Sequence, residues 1–138
     1  MKTKILIAVI ASMYLIPFYG YAQEKTVKTV FFEGGSCELF EFVKKPMFAP
    51  ANMGEDEKAV ILRLKCSLKQ NVGTDNLKAL YEKGALVTPD GQRYKAAVSI
   101  LKNDNDGIIY SLVVAIPKTV DDTTLKFVYN NQVLILKE

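Results

Sequence analysis

The chain has 138 residues with a formal net charge of +3, and it contains neither histidine nor tryptophan. Without histidine it can form neither a Ser-His-Asp triad nor a histidine-ligated metal site, so we predict that it is not an enzyme and needs no cofactor. Nucleic acid is rejected as the main partner, because the charge is too small and too dispersed for a nucleic-acid footprint.

The first 22 residues are typical of a secretory signal peptide. After a basic start, an apolar run spans residues 5–18, and small residues stand at Gly20 and Ala22, the positions that a signal peptidase reads. An uncleaved membrane anchor is the alternative, which Pro17 disfavours. We expect cleavage after Ala22 and export to the periplasm or the extracellular space, with no membrane anchor left on the mature chain.

Removal of this segment leaves residues 23–138, a length that suits a single domain. Lys2 and Lys4 are lost while all 15 acidic residues remain, so the 18 basic residues fall to 16 and the mature net charge is +1. The basicity of the full sequence therefore belongs largely to the segment that is removed.

Turn signals divide the mature chain into segments of strand length. Residues 26–32 form the first predicted strand and residues 37–43 the second. Strict alternation along the second strand would place Phe40 and Phe42 on one side, opposite Cys37.

Residues 58–69 alternate between apolar and polar side chains, which indicates a half-buried strand. Its core-facing side carries Val60, Leu62, Leu64, Cys66 and Leu68. The only other cysteine is Cys37, and its distance along the chain from Cys66 differs from the Cys-x-x-Cys of redox-active pairs. Because an exported protein can form disulfides, we predict a structural disulfide between Cys37 and Cys66.

Residues 75–83 carry apolar side chains at helical spacing and predict a short helix, although a strand also fits them. Thr74 or Asp75 would cap its start, and Lys83 would suit the negative end of its dipole. Gly84 would take the left-handed position that follows many helices.

The rest of the chain is a series of predicted strands joined by tight turns. The strands are residues 85–88, 92–102, 108–116, 125–129 and 132–136. The turns are Pro89-Asp90-Gly91, Asn103-Asp104-Asn105-Asp106-Gly107 and Asn130-Asn131. Residues 108–116 are apolar on both faces, which predicts a central strand, whereas residues 92–102 place Tyr94, Ala96, Val98 and Ile100 on one face. About eight antiparallel strands with one short helix favour a sandwich of two sheets over a barrel.

Three segments of the second half carry a family resemblance. They are Leu-Val-Thr-Pro-Asp-Gly-Gln-Arg-Tyr at residues 86–94, Ala-Ile-Pro-Lys at 115–118 and Leu-Lys-Phe-Val-Tyr at 125–129. In this order they resemble bacterial secreted immunoglobulin-like domains of unknown function. The resemblance implies an all-β, immunoglobulin-like antiparallel sandwich of seven to eight strands that serves as an accessory or binding domain of the cell envelope. It supplies no catalytic residues.

The turn at residues 103–107 is rich in oxygen ligands, but it does not fit a calcium loop. If Gly107 took the sharp-turn position, Lys102 and Val113 would fall on ligand positions, and neither side chain carries a carboxylate. We therefore predict no metal site.

The candidate binding site is residues 46–53, within a loop over residues 44–57, where Met47, Phe48 and Met53 lie close to two prolines. Loops on rigid scaffolds often carry binding residues, and methionine adapts to varied contacts. The alternative is that these three side chains fold back to cap the open end of the sandwich.

The predicted function is a non-enzymatic, exported binding or assembly module of the cell envelope that contacts a protein partner through a loop or a sheet edge. The alternative is a carrier of a small apolar ligand, with a cavity between the sheets.

Overall fold

A computed structural model describes residues 23–105 and 107–137, so the predicted signal peptide and Asp106 lie outside the described residues. In chain order the strands are β1 (Lys25–Val27), β2 (Thr29–Phe32), β3 (Gly35–Val43), β4 (Glu57–Leu68), β5 (Ala85–Val87), β6 (Arg93–Tyr94), β7 (Val98–Asp104), β8 (Gly107–Pro117), β9 (Lys126–Tyr129) and β10 (Gln132–Ile135). A 3₁₀ turn (Thr74–Leu77) leads into helix α1 (Lys78–Lys83), and another 3₁₀ turn spans Asp122–Thr124.

The strands form two five-stranded sheets. Sheet I has the order β1-β10-β9-β5-β6, and sheet II has the order β2-β3-β4-β8-β7. All neighbours are antiparallel except β1 and β10, which are parallel. The runs β3-β4-β8-β7 and β10-β9-β5-β6 follow the A-B-E-D and G-F-C-C′ orders of immunoglobulin-like sandwiches, with β1 and β2 added at one edge. The predicted all-β sandwich with one short helix is confirmed, with ten described strands instead of seven or eight.

The core lies between the inward faces of the two sheets. Strand β4 contributes Val60, Leu62, Leu64 and Cys66 to it, as the alternating sequence predicts. Strand β8 pairs with β4 on one side and β7 on the other, which confirms its central position. Its inward side chains are Tyr110, Leu112 and Val114, while Ile109 and Val113 on the opposite face are also buried.

A β-bulge between Leu39 and Glu41 corrects the predicted faces of β3. The extra residue is Phe40, which lies outside the sandwich with the guanidinium of Arg63 5.2 Å from its ring centre. Phe42 lies instead in the core. The prediction that both phenylalanines share a face is wrong, because a bulge shifts the alternation by one residue.

Two segments that the sequence predicts as single strands each divide between the sheets. Residues 26–32 bend at Lys28, which places β1 in sheet I and β2 in sheet II. Residues 92–102 divide in the same way into β6 and β7. As a result Val98 and Ile100 are exposed on sheet II, whereas Tyr94 packs partly against the core from sheet I.

Helix α1 confirms the helical interpretation and ends at Lys83 as predicted, but the predicted capping residues are wrong. Neither Thr74 nor Asp75 caps the preceding 3₁₀ turn or the helix with its side chain. Gly84 has φ −78° and is extended, not left-handed. A Cβ on this residue would lie 2.5 Å from the Leu80 carbonyl oxygen and 2.5 Å from Cζ of Phe127. Glycine is needed there for space and not for a positive φ.

The hairpin turns behave as their sequences predict. Asn130 and Asn131 have φ of 48° and 61°, and Gly91 has φ of 90°. These values lie in the left-handed region that asparagine and glycine tolerate best.

The predicted disulfide is wrong, since Cys37 and Cys66 are free, buried thiols. They face each other in the register of β3 and β4, and the Cys66 thiol donates a weak hydrogen bond to the Leu64 carbonyl oxygen at 3.7 Å. Hydrogen bonding to Cys66 and burial raise the pKa of Cys37 well above its usual range. Both side chains therefore serve as small core residues, and sequence spacing alone does not determine whether sulfur atoms bond.

Candidate functional site

The loop between β3 and β4 contains all three candidate binding residues. Met47 is fully exposed, Phe48 is 51% exposed and Met53 is partly buried. Met47 therefore covers no part of the core, so the alternative in which all three side chains cap the end of the sandwich does not apply to Met47. The loop presents an unbranched thioether and an aromatic ring to solvent side by side.

Hydrogen bonds fix the end of this loop that enters β4. The Gly54 amide donates to Oε1 of Glu57 at 2.8 Å, and the Glu57 amide donates back to the Gly54 carbonyl at 3.2 Å. The Lys118 amide donates to the Asp56 carbonyl at 2.8 Å, which ties the loop to the end of β8. The exposed residues thus project from a segment that is anchored to two central strands.

A cleft of about 480 Å³ lies between the loop and the adjacent strand ends. Its lining includes the apolar residues Met47, Phe48, Met53 and Ala59 and the lysines Lys44, Lys45, Lys58 and Lys118. Lys58 is paired with Asp122 at 3.2 Å. Within the described residues the other three lysines form no salt bridge, so the cleft combines apolar contact area with unpaired positive charge.

An apolar row crosses the outer face of sheet II from the base of this loop to the far edge. Val43 in β3 is paired with Ile61 in β4, which is paired with Val113 in β8, which in turn is paired with Val98 in β7. Ile61 and Val113 are buried within the row, whereas Val98 is 43% exposed. The row is therefore accessible to solvent mainly at its two ends, at Val43 beside the loop and at Val98 on the far edge.

The shifted pKa values have structural causes. Hydrogen bonds from the Thr123 hydroxyl and amide lower the pKa of Asp121, which caps the 3₁₀ turn after β8. Burial raises the pKa values of Tyr110 and Tyr129. Across the described ranges no group of three or more acidic or cysteine side chains is placed to hold a metal ion.

The space between the sheets bears on the carrier alternative. The opening between their inward faces is lined by residues such as Leu62, Leu86 and Phe127, and it has no room for a water molecule. The larger opening, of about 690 Å³, lies at the sandwich edge between β3 and β10. Sequence reasoning missed this site, because its lining comes from three distant segments that only the fold brings together.

No helix within the described part of the chain has the length and apolar character needed to cross a membrane. Comparison of the chain with protein-family models, with curated proteins and with solved structures finds no match.

Proposed function

We propose that this protein is a non-enzymatic binding or assembly module of the cell envelope, and that the loop carrying Met47 and Phe48 contacts a protein partner. The observation that carries this proposal is the exposure of both side chains on a loop anchored to β4 and β8. Flexible methionines and aromatic rings are enriched where proteins bind each other, and an anchored loop loses little entropy on binding.

The charged residues next to the loop indicate what kind of partner surface would complement it. Lys44, Lys45 and Lys118 line the cleft beside the exposed pair and outnumber the acidic residues of that lining, Glu57 and Asp122, so an acidic rim around an apolar patch would complement the loop. Export and the resemblance to secreted immunoglobulin-like domains place such a partner in the envelope or outside the cell; both remain predictions.

The carrier alternative is less well supported. A ligand held between the sheets needs a cavity of several hundred Å³, whereas the space next to Leu62 and Phe127 is filled.

The test replaces Phe48 with serine and, separately, Met47 with serine in protein purified from its own envelope fraction. Native mass spectrometry should find a protein partner bound to the unmodified chain, and each replacement should reduce the bound fraction about tenfold or more. The thermal midpoint should change little, because exposed side chains contribute little to folding.

Phe31→Ser is the matched control, since Phe31 is also an exposed phenylalanine but lies on β2. It should retain the partner. Loss of stability in Phe48→Ser with the partner retained would refute the proposal and restore the capping role, and a bound lipid or metabolite in place of a protein would favour the carrier.

A further inference from the structure

Two clefts meet along one edge of the sandwich, between β3 of sheet II and β10 of sheet I. The larger, of about 690 Å³, includes Leu39, Phe40, Ile135 and Lys137 in its lining, and the smaller, of about 370 Å³, includes Phe42, Lys44, Leu136 and Lys137. Lys137 lines both, so the two clefts are adjacent along this edge. Together we call them the seam and define its walls as residues 39–44 and 135–137.

The seam is open because the first two strands cover only half of this edge. Strand β2 pairs with β3 from Gly35 to Glu38, and β1 pairs with β10 from Gln132 to Leu134. The chain crosses between the sheets at Lys28. In the covered half the side-chain amide of Gln132 accepts a hydrogen bond from the Phe31 amide and donates one to its carbonyl, both at 2.7 Å, as a neighbouring strand would.

Beyond this crossing the walls of the seam are strand edges. Residues 39–43 pair with β4 on one side only, and Ile135 pairs with Lys126 of β9 on one side only. Within the described residues no strand lies on their other sides. An edge strand directs some of its N–H and C=O groups outward, where an added strand can bond to them.

The side chains of the seam combine apolar surface with positive charge. Phe40 is 39% exposed and Ile135 is 43% exposed. Lys28, Lys44 and Lys137 line the two clefts together with the carboxylate of Glu38, and the carboxylate of Glu41 in the β3 wall is paired with Arg63. None of these lysines forms a salt bridge with another described residue, so the seam has an excess of positive charge.

We propose that the seam binds an extended peptide segment of a protein partner, which pairs with the free edge of β3 and carries apolar side chains flanked by carboxylates. The free stretch, residues 39–43, includes the bulge at Phe40, so it offers about four regular strand positions and is about 14 Å long at about 3.4 Å per residue. Backbone pairing would supply affinity, and the carboxylates would complement the lysines. This site adds a second contact to the proposed binding module and does not depend on Met47 or Phe48.

The test titrates the peptide Glu-Val-Thr-Val-Thr-Val-Glu, blocked at both ends, into the isotopically labelled protein. Amide chemical shifts should change at residues 39–43 and 135–137. The same peptide with alternate amides N-methylated should bind at least about tenfold more weakly, because methylation removes the donors that an added strand needs. A version with lysine in place of both glutamates should also bind more weakly, and increased salt should reduce this difference.

Matched variants separate the seam from other exposed surface. Ile135→Lys should weaken peptide binding about tenfold or more, whereas Val98→Lys should not, since Val98 is equally exposed but lies on β7. Lys137→Glu should weaken binding, and Lys95→Glu, a charge reversal outside the seam, should not.

Three results would overturn the inference. They are shift changes confined to residues outside the seam, equal binding of the N-methylated peptide, and no binding by any of these peptides at millimolar concentration. Displacement of the peptide by laurate, together with equal binding of the N-methylated form, would identify a site for anionic amphiphiles instead. Failure here leaves the loop proposal intact if Phe48→Ser still releases a partner.

Discussion

The sequence identifies Gly84 correctly as a position that requires glycine, but the physical reason it suggests is wrong. A glycine directly after a helix predicts a left-handed residue, yet this one is extended and closely surrounded by the Leu80 carbonyl and the Phe127 ring. The sequence contains no sign of this contact, because Phe127 lies on a strand more than forty positions away.

We predict that Gly84→Ala lowers the free energy of unfolding by about 1 to 3 kcal/mol, since a methyl group there must displace backbone or a buried ring. Urea denaturation measures the change. Gly73→Ala is the control, because no atom lies within 4 Å of a Cβ at that position and its φ is −81°. The control should leave stability unchanged or raise it by up to about 1 kcal/mol; equal losses in both variants would contradict the steric explanation.

At the scale of elements, sequence reasoning succeeded where the information is local. The Asn130-Asn131 hairpin follows from turn chemistry, and β4 follows from strict alternation. Sequence reasoning failed where pairing with strands elsewhere in the chain determines the structure. The crossing at Lys28 depends on which sheet each half of the segment pairs with, and the bulge at Phe40 depends on the register of β3 against β4; residues within either segment do not encode these pairings.

The pairing of Gln132 with β2 gives a test at this scale. We expect Gln132→Met to lower stability by about 0.5 to 2 kcal/mol and to speed amide hydrogen exchange at Phe31, because both hydrogen bonds to that residue are lost. Gln92→Met should change neither quantity, since the exposed Gln92 side chain makes no comparable contact. If amide exchange at Phe31 is unchanged in Gln132→Met, the side-chain amide of Gln132 does not hold β2 at this edge.

For the whole molecule, periodicity and turn spacing predicted a single two-sheet sandwich, because burial of one face per strand leaves few other arrangements. The loop with Met47 and Phe48 was also identifiable, since apolar residues near prolines are conspicuous in the sequence. The seam was not, because it depends on strand register across segments that are separated in the chain. The state of the cysteines was not either, because even the register that places Cys37 opposite Cys66 does not determine whether their sulfur atoms bond.

The buried thiol pair predicts a loss of stability in alkali. Because the pKa of Cys37 is higher in the folded chain than in the unfolded one, its contribution is complete below about pH 8.5 and declines as pH rises above that value. We expect the free energy of unfolding to fall by about 1 kcal/mol per pH unit between pH 9 and 10 from this group. The raised pKa values of Tyr110 and Tyr129 add to the decline at higher pH.

Urea denaturation across this pH range provides the measurement, with Cys37→Ala as the comparison. The variant starts from lower stability because it leaves a small cavity, but its pH dependence below pH 10 should be shallower. Parallel pH profiles for the two proteins would rule out the thiol as the cause.

The parallel pairing of β1 with β10 has a consequence for how the chain acquires its shape. Lys25 is aligned with Gln132, so sheet I acquires its final strand neighbour only when β1 and β10, which are far apart in the chain, come together. A chain emerging progressively from a ribosome therefore cannot complete sheet I until β10 has emerged, so the topology delays the closure of this sheet.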